Sequence, residues 1–98
     1  MQITIRYFAA YREITGRDSE SLEVTEGATI SDLQRELARR YAGLDKLLAR
    51  SIYAVNRRYV PIETPLQDGD ELVFIPPMGG GAREIALAWQ HDSPASGF

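Results

Sequence analysis

The side chains able to do acid–base or nucleophilic chemistry are few, and their spacing is wrong for it. His91 is the one histidine, with Asp92 and Ser93 directly after it. A Ser-His-Asp device needs side chains converging from separate parts of a fold, which neighbours on one irregular segment rarely do. One histidine is also too little for zinc, which takes several strong ligands. Asp68, Asp70 and Glu71 lack the ligand spacing of a helix-loop-helix calcium site, and Asp68-Gly69-Asp70 reads as a turn. Glu20, Glu23 and Glu26 read as a solvated strand edge. With no cysteine there is no thiolate nucleophile, thiolate metal site or disulfide. The expectation is no metal site and no catalysis by side chains, and an enzyme acting alone is the least favoured class.

What remains is backbone. "PPMGGG", Pro76 to Gly81, follows an apolar run and precedes "AREIALAWQ". The glycines lack the lysine and hydroxyl residue of a phosphate-binding loop and the following helix of a dinucleotide site. Glycines without Cβ atoms can thread a narrow channel or adopt unusual dihedrals. On the residues alone, the run is either a hinge after Ile75 or a slender chain end covered by an extension.

The elements that must carry this segment are legible in outline. Residues 2–8 alternate, with Ile3, Ile5 and Tyr7 on one face and Thr4, Arg6 and Phe8 on the other, predicting a strand. Phe8 is then either on a covered strand end or exposed. "AAYREITG" predicts one or two helical turns closed by Gly16, and Ser21–Val24 a second strand ended by Gly27. Thr29 is placed to cap a helix with Asp32 at its third position, and Ile30, Leu33, Leu37 and Tyr41 form the apolar stripe. Arg39 and Arg40 suit the helix end, and Gly43 a left-handed termination. Leu44, Leu47 and Leu48 predict an amphipathic turn. Ile52–Val55, Tyr59–Ile62 and Leu72–Ile75 predict strands, the second limited by Pro61. One main helix against a mixed sheet is an α+β two-layer arrangement, whose topology propensity does not choose.

Composition narrows the partners. The 98 residues suit one compact domain, and 44% hydrophobic with 26% charged residues is ordinary for a folded soluble chain. A net charge of −3 gives no field that favours nucleic acid. Arg57-Arg58 beside Tyr59 fits solvated surface or a protein interface. "MQITIRYF" holds no apolar run of signal-peptide length, and no segment nears the roughly 20 apolar residues that span a bilayer. The expectation is a cytoplasmic protein with no membrane and no nucleic-acid partner.

"RYFAAYREITG", "TISDLQRELARRY", "AVNRRYV", "TPLQDGDELVFIPP" and "MGGG", in this order and spacing, resemble the MoaD/ThiS family of ubiquitin-like sulfur carriers, and within it the molybdopterin synthase small subunits. The resemblance covers about residues 1 to 81 and implies a β-grasp fold there, a mixed sheet packed on one main helix. It implies that the working group is the Gly81 carboxylate, with Gly80 beside it. An E1-like adenylating enzyme would use ATP and magnesium to activate that carboxylate, and sulfur would then displace AMP to leave a thiocarboxylate. No cofactor would be bound by the chain itself. A molybdopterin synthase large subunit would receive the tail, with contacts mapping to Phe8, Tyr59, Ile75, Pro76, Pro77, Met78 and Gly79. The departure is the extension 82–98, because a peptide bond at Gly81 leaves no free carboxylate. Three readings stand: a peptidase removes it; it is the remnant or start of a fused partner domain; or it is retained as a structural or regulatory element of a member with a lost or changed carrier role, adding a strand, docking on the apolar patch or pairing with another molecule. Its Ile85, Leu87 and Trp89 alternate with Glu84, Ala86 and Ala88, whereas "HDSPASGF" has loop composition. The alternatives are the same carrier chemistry for thiazole, cysteine or thiouridine synthesis, and a β-grasp binding or modifier protein that keeps its tail without thiolation.

Overall fold

The computed structural model describes residues 1–76. Five strands and three helices follow in the order β1 (Gln2–Arg6), α1 (Ala9–Thr15), β2 (Ser19–Glu23), α2 (Ile30–Arg40), α3 (Leu44–Ala49), β3 (Ile52–Val55), β4 (Arg58–Tyr59) and β5 (Glu71–Ile75). The strands form one sheet in the order β2-β1-β5-β3-β4. Only the β1–β5 pair is parallel; β1–β2, β3–β5 and β3–β4 are antiparallel. The last of the described strands is therefore the middle strand of this sheet.

All three helices cover one face. Ile3, Ile5 and Tyr7 from the first strand and its exit, with Leu22, Leu72 and Phe74, meet Tyr11 of α1, Ile30, Leu33 and Leu37 of α2, and Leu44 and Leu48 of α3 in a single buried cluster. The alternation of β1 and the stripe of α2 thus find each other as expected, giving the mixed sheet on one main helix. Helix α2 starts as its sequence dictates. The Thr29 hydroxyl accepts the Asp32 amide at 3.2 Å, and the Asp32 carboxylate accepts the Thr29 amide at 2.9 Å. Arg39 and Arg40 in its last turn both reach Glu36, at 2.8 Å.

Four local expectations are corrected. Tyr41 ends α2 in extended backbone, and Gly43, at φ 90°, precedes α3 rather than closing α2; two helices meet where one termination was expected. The first strand is bounded at Arg6, with one further in-register bond from the Tyr7 amide to the Asp18 carbonyl at 2.8 Å, and β2 begins at Ser19 rather than Ser21. The Tyr59–Ile62 strand reduces to Arg58–Tyr59 with one further bond from the Val60 amide to Tyr53, since Pro61 has no amide hydrogen to extend the ladder. Between β3 and β4 lies a two-residue turn, Asn56-Arg57, with both residues at positive φ (51° and 69°), the geometry that two-residue hairpins favour.

Candidate functional site

The sheet face away from the helices carries the candidate site. Strand alternation sends Val73 and Ile75 of β5 and Ala54 of β3 to this face, while Leu72 and Phe74 enter the main core. Phe8 joins them just past the end of β1. These four form a second buried apolar cluster, separate from the first. Ala54 pairs with Val73 on one side and with Tyr59 on the other, so Tyr59 borders the cluster. Tyr59 is 68% exposed and Ile52, on the same face of β3, is 47% exposed. The Arg6 guanidinium carbon stands 5.1 Å from the centre of the Phe8 ring, a cation–π distance.

Phe8's direction is set by the residue before it. The Tyr7 hydroxyl donates to the Glu20 carboxylate at 2.6 Å, and the Tyr41 hydroxyl donates to the same oxygen at 2.6 Å. The Tyr7 and Tyr41 rings meet edge-on, with centroids 6.3 Å apart. With Tyr7 anchored among the helices, its neighbour turns to the opposite face. Burial, reinforced by the Glu20 carboxylate, pushes the Tyr7 hydroxyl far above the ordinary tyrosine range. Glu20 is therefore not the solvated strand-edge residue expected from its context. Glu23 is also engaged, accepting the N-terminal ammonium at 2.8 Å and the Gln2 amide group at 2.9 Å.

Phe8, Tyr59 and Ile75, distant in the chain, are thus brought to one face, Phe8 and Ile75 as members of the cluster and Tyr59 at its margin. Of the covered-or-exposed alternatives for Phe8, the covered one holds. Ile75 is buried too, and Pro76 after it is partly exposed. Pro77, Met78, Gly79, Gly80 and Gly81 lie outside the described residues, as do the extension and His91. Ala54 and Val73 were missed as members of the face. For Val73 the signal was the unbroken run Leu72-Val73-Phe74-Ile75, the pattern of a strand covered on both sides.

The acidic turn is structural. Asp68 accepts the Gln2 amide at 2.7 Å, and Asp70 accepts the Gln67 amide and the Asn56 side-chain amide, both at 2.8 Å. Among the described residues no group of three or more His, Cys, Asp or Glu side chains could hold a metal ion, and no helix is long and apolar enough to cross a membrane. A groove of about 560 Å³ opens between residues 24–28 and α2. It lies at the helix side of the β2 edge, away from the end of β5, and the charges of Asp32 and Glu36 on its rim are taken by Arg35, Arg39 and Arg40. The arrangement offers a presentation surface leading to the chain's exit from β5.

Residues 5–81 match the ThiS family. The molybdopterin synthase sulfur carrier subunit of Chlamydomonas reinhardtii is 36% identical over 83 residues, covering 83% of this chain and all of that one. A putative molybdopterin converting factor subunit 1 from Pyrococcus furiosus superposes with a TM-score of 0.73 at 32% identity, over 80% of this chain and 99% of that one. Subunit 1 or 2 in a protein–protein complex of the molybdopterin-converting factor from Helicobacter pylori superposes with a TM-score of 0.60 at 26% identity, over 83% of this chain and all of that one. These likenesses identify the sheet and helices as the β-grasp arrangement.

Proposed function

The chain belongs to the ThiS family, and from that membership we propose that it is a sulfur carrier whose reactive group is the carboxylate of Gly81, serving molybdopterin synthesis. The observation that carries this reading is where the likeness stops. The family match runs to Gly81, the last residue of the glycine run, so the shared part ends on the residue whose terminal carboxylate would be used.

A carboxylate is a poor acyl donor, because its charge is delocalised and its leaving group would be an oxide. In the proposed sequence a Gly81 oxygen attacks the α-phosphorus of ATP in an E1-like enzyme, pyrophosphate departs and an acyl adenylate forms. Magnesium belongs to that enzyme and balances phosphate charge there. A sulfur nucleophile at the sulfide level then adds to the carbonyl and AMP leaves, giving the thiocarboxylate. This chain supplies no acid, base or metal to either step. Its body provides the grip, and a tail without side chains at Gly79, Gly80 and Gly81 is narrow enough to enter a partner's active site.

The role needs a protein partner on each side of the transfer. The relatives' names and the Helicobacter pylori subunit complex support a molybdopterin synthase large subunit as the receiver. The face bearing Phe8, Tyr59 and Ile75, continuous with Pro76, is the proposed docking surface, Pro77 and Met78 extending the contact. Because residues 82–98 follow Gly81 in this sequence, a peptidase must cut after Gly81 before adenylation.

The test is intact-mass measurement after incubation with an E1-like enzyme, ATP, magnesium and a sulfide source. The chain ending at Gly81 is expected to gain the mass difference between sulfur and oxygen, and the chain through Phe98 to stay unchanged. A chain ending at Gly81 that every such enzyme leaves unmodified would refute the carrier reading.

A further inference from the structure

One edge of the sheet is open for pairing. The N-terminal ammonium donates to the Val24 carbonyl and the Val24 amide to the Met1 carbonyl, each at 2.8 Å, and the Tyr7 amide reaches the Asp18 carbonyl at 2.8 Å. With the register between them, these bonds fix the phase of the β1–β2 ladder: residues 18, 20, 22 and 24 bond to β1, while Ser19, Ser21 and Glu23 turn their amides and carbonyls outward. All three residues are exposed, and none of these outward groups has a partner among the described residues. Strand β2 is the outer strand of the sheet, and it pairs with β1 along five residues with neither proline nor bulge, two of the devices that blunt an edge. The opposite edge, β4, is two residues long.

We propose that β2 and the groove beside it take up an extended segment of a partner protein, in which apolar residues alternate with lysine or arginine, as an added strand. The groove supplies the reason for the alternation. Leu22, Val24 and Leu33 line it with apolar surface, and Asp32, Glu36 and Arg40, four residues apart along α2, form its wall. A strand laid against β2 sends every second side chain to the helix side, into this groove, and the others to the opposite face beside Ser19, Ser21 and Glu23. Charge selects the second set. Residues 18–36 hold six acids, Asp18, Glu20, Glu23, Glu26, Asp32 and Glu36, against Arg35 as their one base. Arginines of α2 take up Asp32 and Glu36, but Glu23 and Glu26 share a single cation, the N-terminal ammonium at 2.8 and 3.9 Å. Their carboxylates are exposed at 68% and 85%, so negative charge is left over where β2 meets the groove. A basic side chain opposite Glu23 makes a favourable cross-strand pair. A second copy is the poorer occupant, because β2 paired with itself brings the Asp18, Glu20 and Glu23 side chains of both copies onto one seam.

The site goes beyond the carrier reading and uses none of its chemistry. Strand β1 separates β2 from β5, so a segment held at this edge leaves the exit from β5 open.

The test titrates the full chain with the synthetic peptide acetyl-Lys-Val-Lys-Val-Lys-Val-Lys-amide and follows amide hydrogen exchange residue by residue. Saturating peptide is expected to slow exchange at Ser19, Ser21 and Glu23, which exchange fast in the free chain. The same peptide with glutamate in place of lysine is expected to bind at least about tenfold more weakly. Ser21→Pro removes the central outward donor and no bond to β1, and is expected to weaken the lysine peptide about tenfold, with Ser21→Ala unchanged. Glu26→Lys, at an exposed position outside the strand, is expected to weaken it severalfold, and this variant decides the matter should Ser21→Pro fail to fold. No binding, binding without protection of the three amides, or equal affinity for acetyl-heptalysine-amide would overturn the proposal, as would unchanged affinity in Glu26→Lys. Protection already present in the free chain would overturn it too, assigning the edge to a second copy if it fades on dilution and to another part of the same chain if it persists. None of these readouts involves adenylation, so failure here is distinct from failure of the carrier reading.

Discussion

Removal of the Glu20 carboxylate tests how the body holds Phe8 in place. One oxygen accepts the Tyr7 and Tyr41 hydroxyls, each at 2.6 Å, and so ties β2 to the end of β1 and to the end of α2. A hydrogen bond to a charged group contributes about 1.5–3 kcal/mol, and a buried hydroxyl stranded without a partner loses a comparable amount. Tyr7 is 1% exposed, so water does not replace the lost acceptor there, whereas Tyr41 is only partly buried and recovers some of its bond from solvent. The two bonds share one acceptor and do not add fully. Glu20→Ala is therefore expected to cost about 2–4 kcal/mol, and Glu20→Gln, which keeps a neutral acceptor, about 1 kcal/mol. For a domain of this size each kcal/mol lowers Tm by about 4–8 °C. Urea unfolding followed by circular dichroism at neutral pH reads both variants. A double-mutant cycle of Glu20→Ala with Tyr41→Phe isolates the Tyr41 share and is expected to give a coupling on the order of 1 kcal/mol. A loss below about 0.5 kcal/mol for Glu20→Ala, the level of an ordinary surface change, would refute the reasoning that this carboxylate fixes Tyr7 and through it the direction of Phe8.

Two other outcomes follow from the described contacts. Thr29→Ala removes the acceptor for the Asp32 amide at the start of α2, and chemical denaturation is expected to show a loss of about 1 kcal/mol; no loss would mean the cap is replaced by water. Tyr7, Tyr11, Tyr41 and Tyr53 all have hydroxyls held above the ordinary tyrosine value of 10.0, burial being the first cause in each. Their neutral forms are favoured by folding, so the full contribution is present below pH 10 and declines as the unfolded chain loses protons that the folded one keeps. For Tyr7 alone the decline has a limiting slope of about 1.4 kcal/mol per pH unit. Unfolding measured across the alkaline range is expected to show that fall, reduced in Tyr7→Phe.

What the sequence disclosed was largely what neighbours in the chain decide. Thr29 with Asp32, and the stripe Ile30, Leu33 and Leu37, are local patterns, and the structure repeats them. The alternation of Ile3, Ile5 and Tyr7 likewise set their face and that of Phe8. Pairing order is non-local: nothing near residues 71–75 says that β5 lies between β1 and β3. Glu20 was misread for the same reason, since its two partners are 13 and 21 residues away. Gly43 shows the limit of a conformational preference, because the left-handed region suits the entrance of α3 as well as the exit of α2. Of the site, Phe8, Tyr59 and Ile75 were named from resemblance, while their gathering around Ala54 and Val73 needed the sheet register.

The central place of β5 also decides how the body would carry a mechanical load. Force applied at the exit of this strand runs along its axis, against the parallel ladder with β1 on one flank and the antiparallel ladder with β3 on the other. Pulling there shears both ladders together, so the bonds resist as a set and cannot be unzipped singly as they would be at an edge. A tail grasped and tugged by a partner would thus be anchored through two ladders at once.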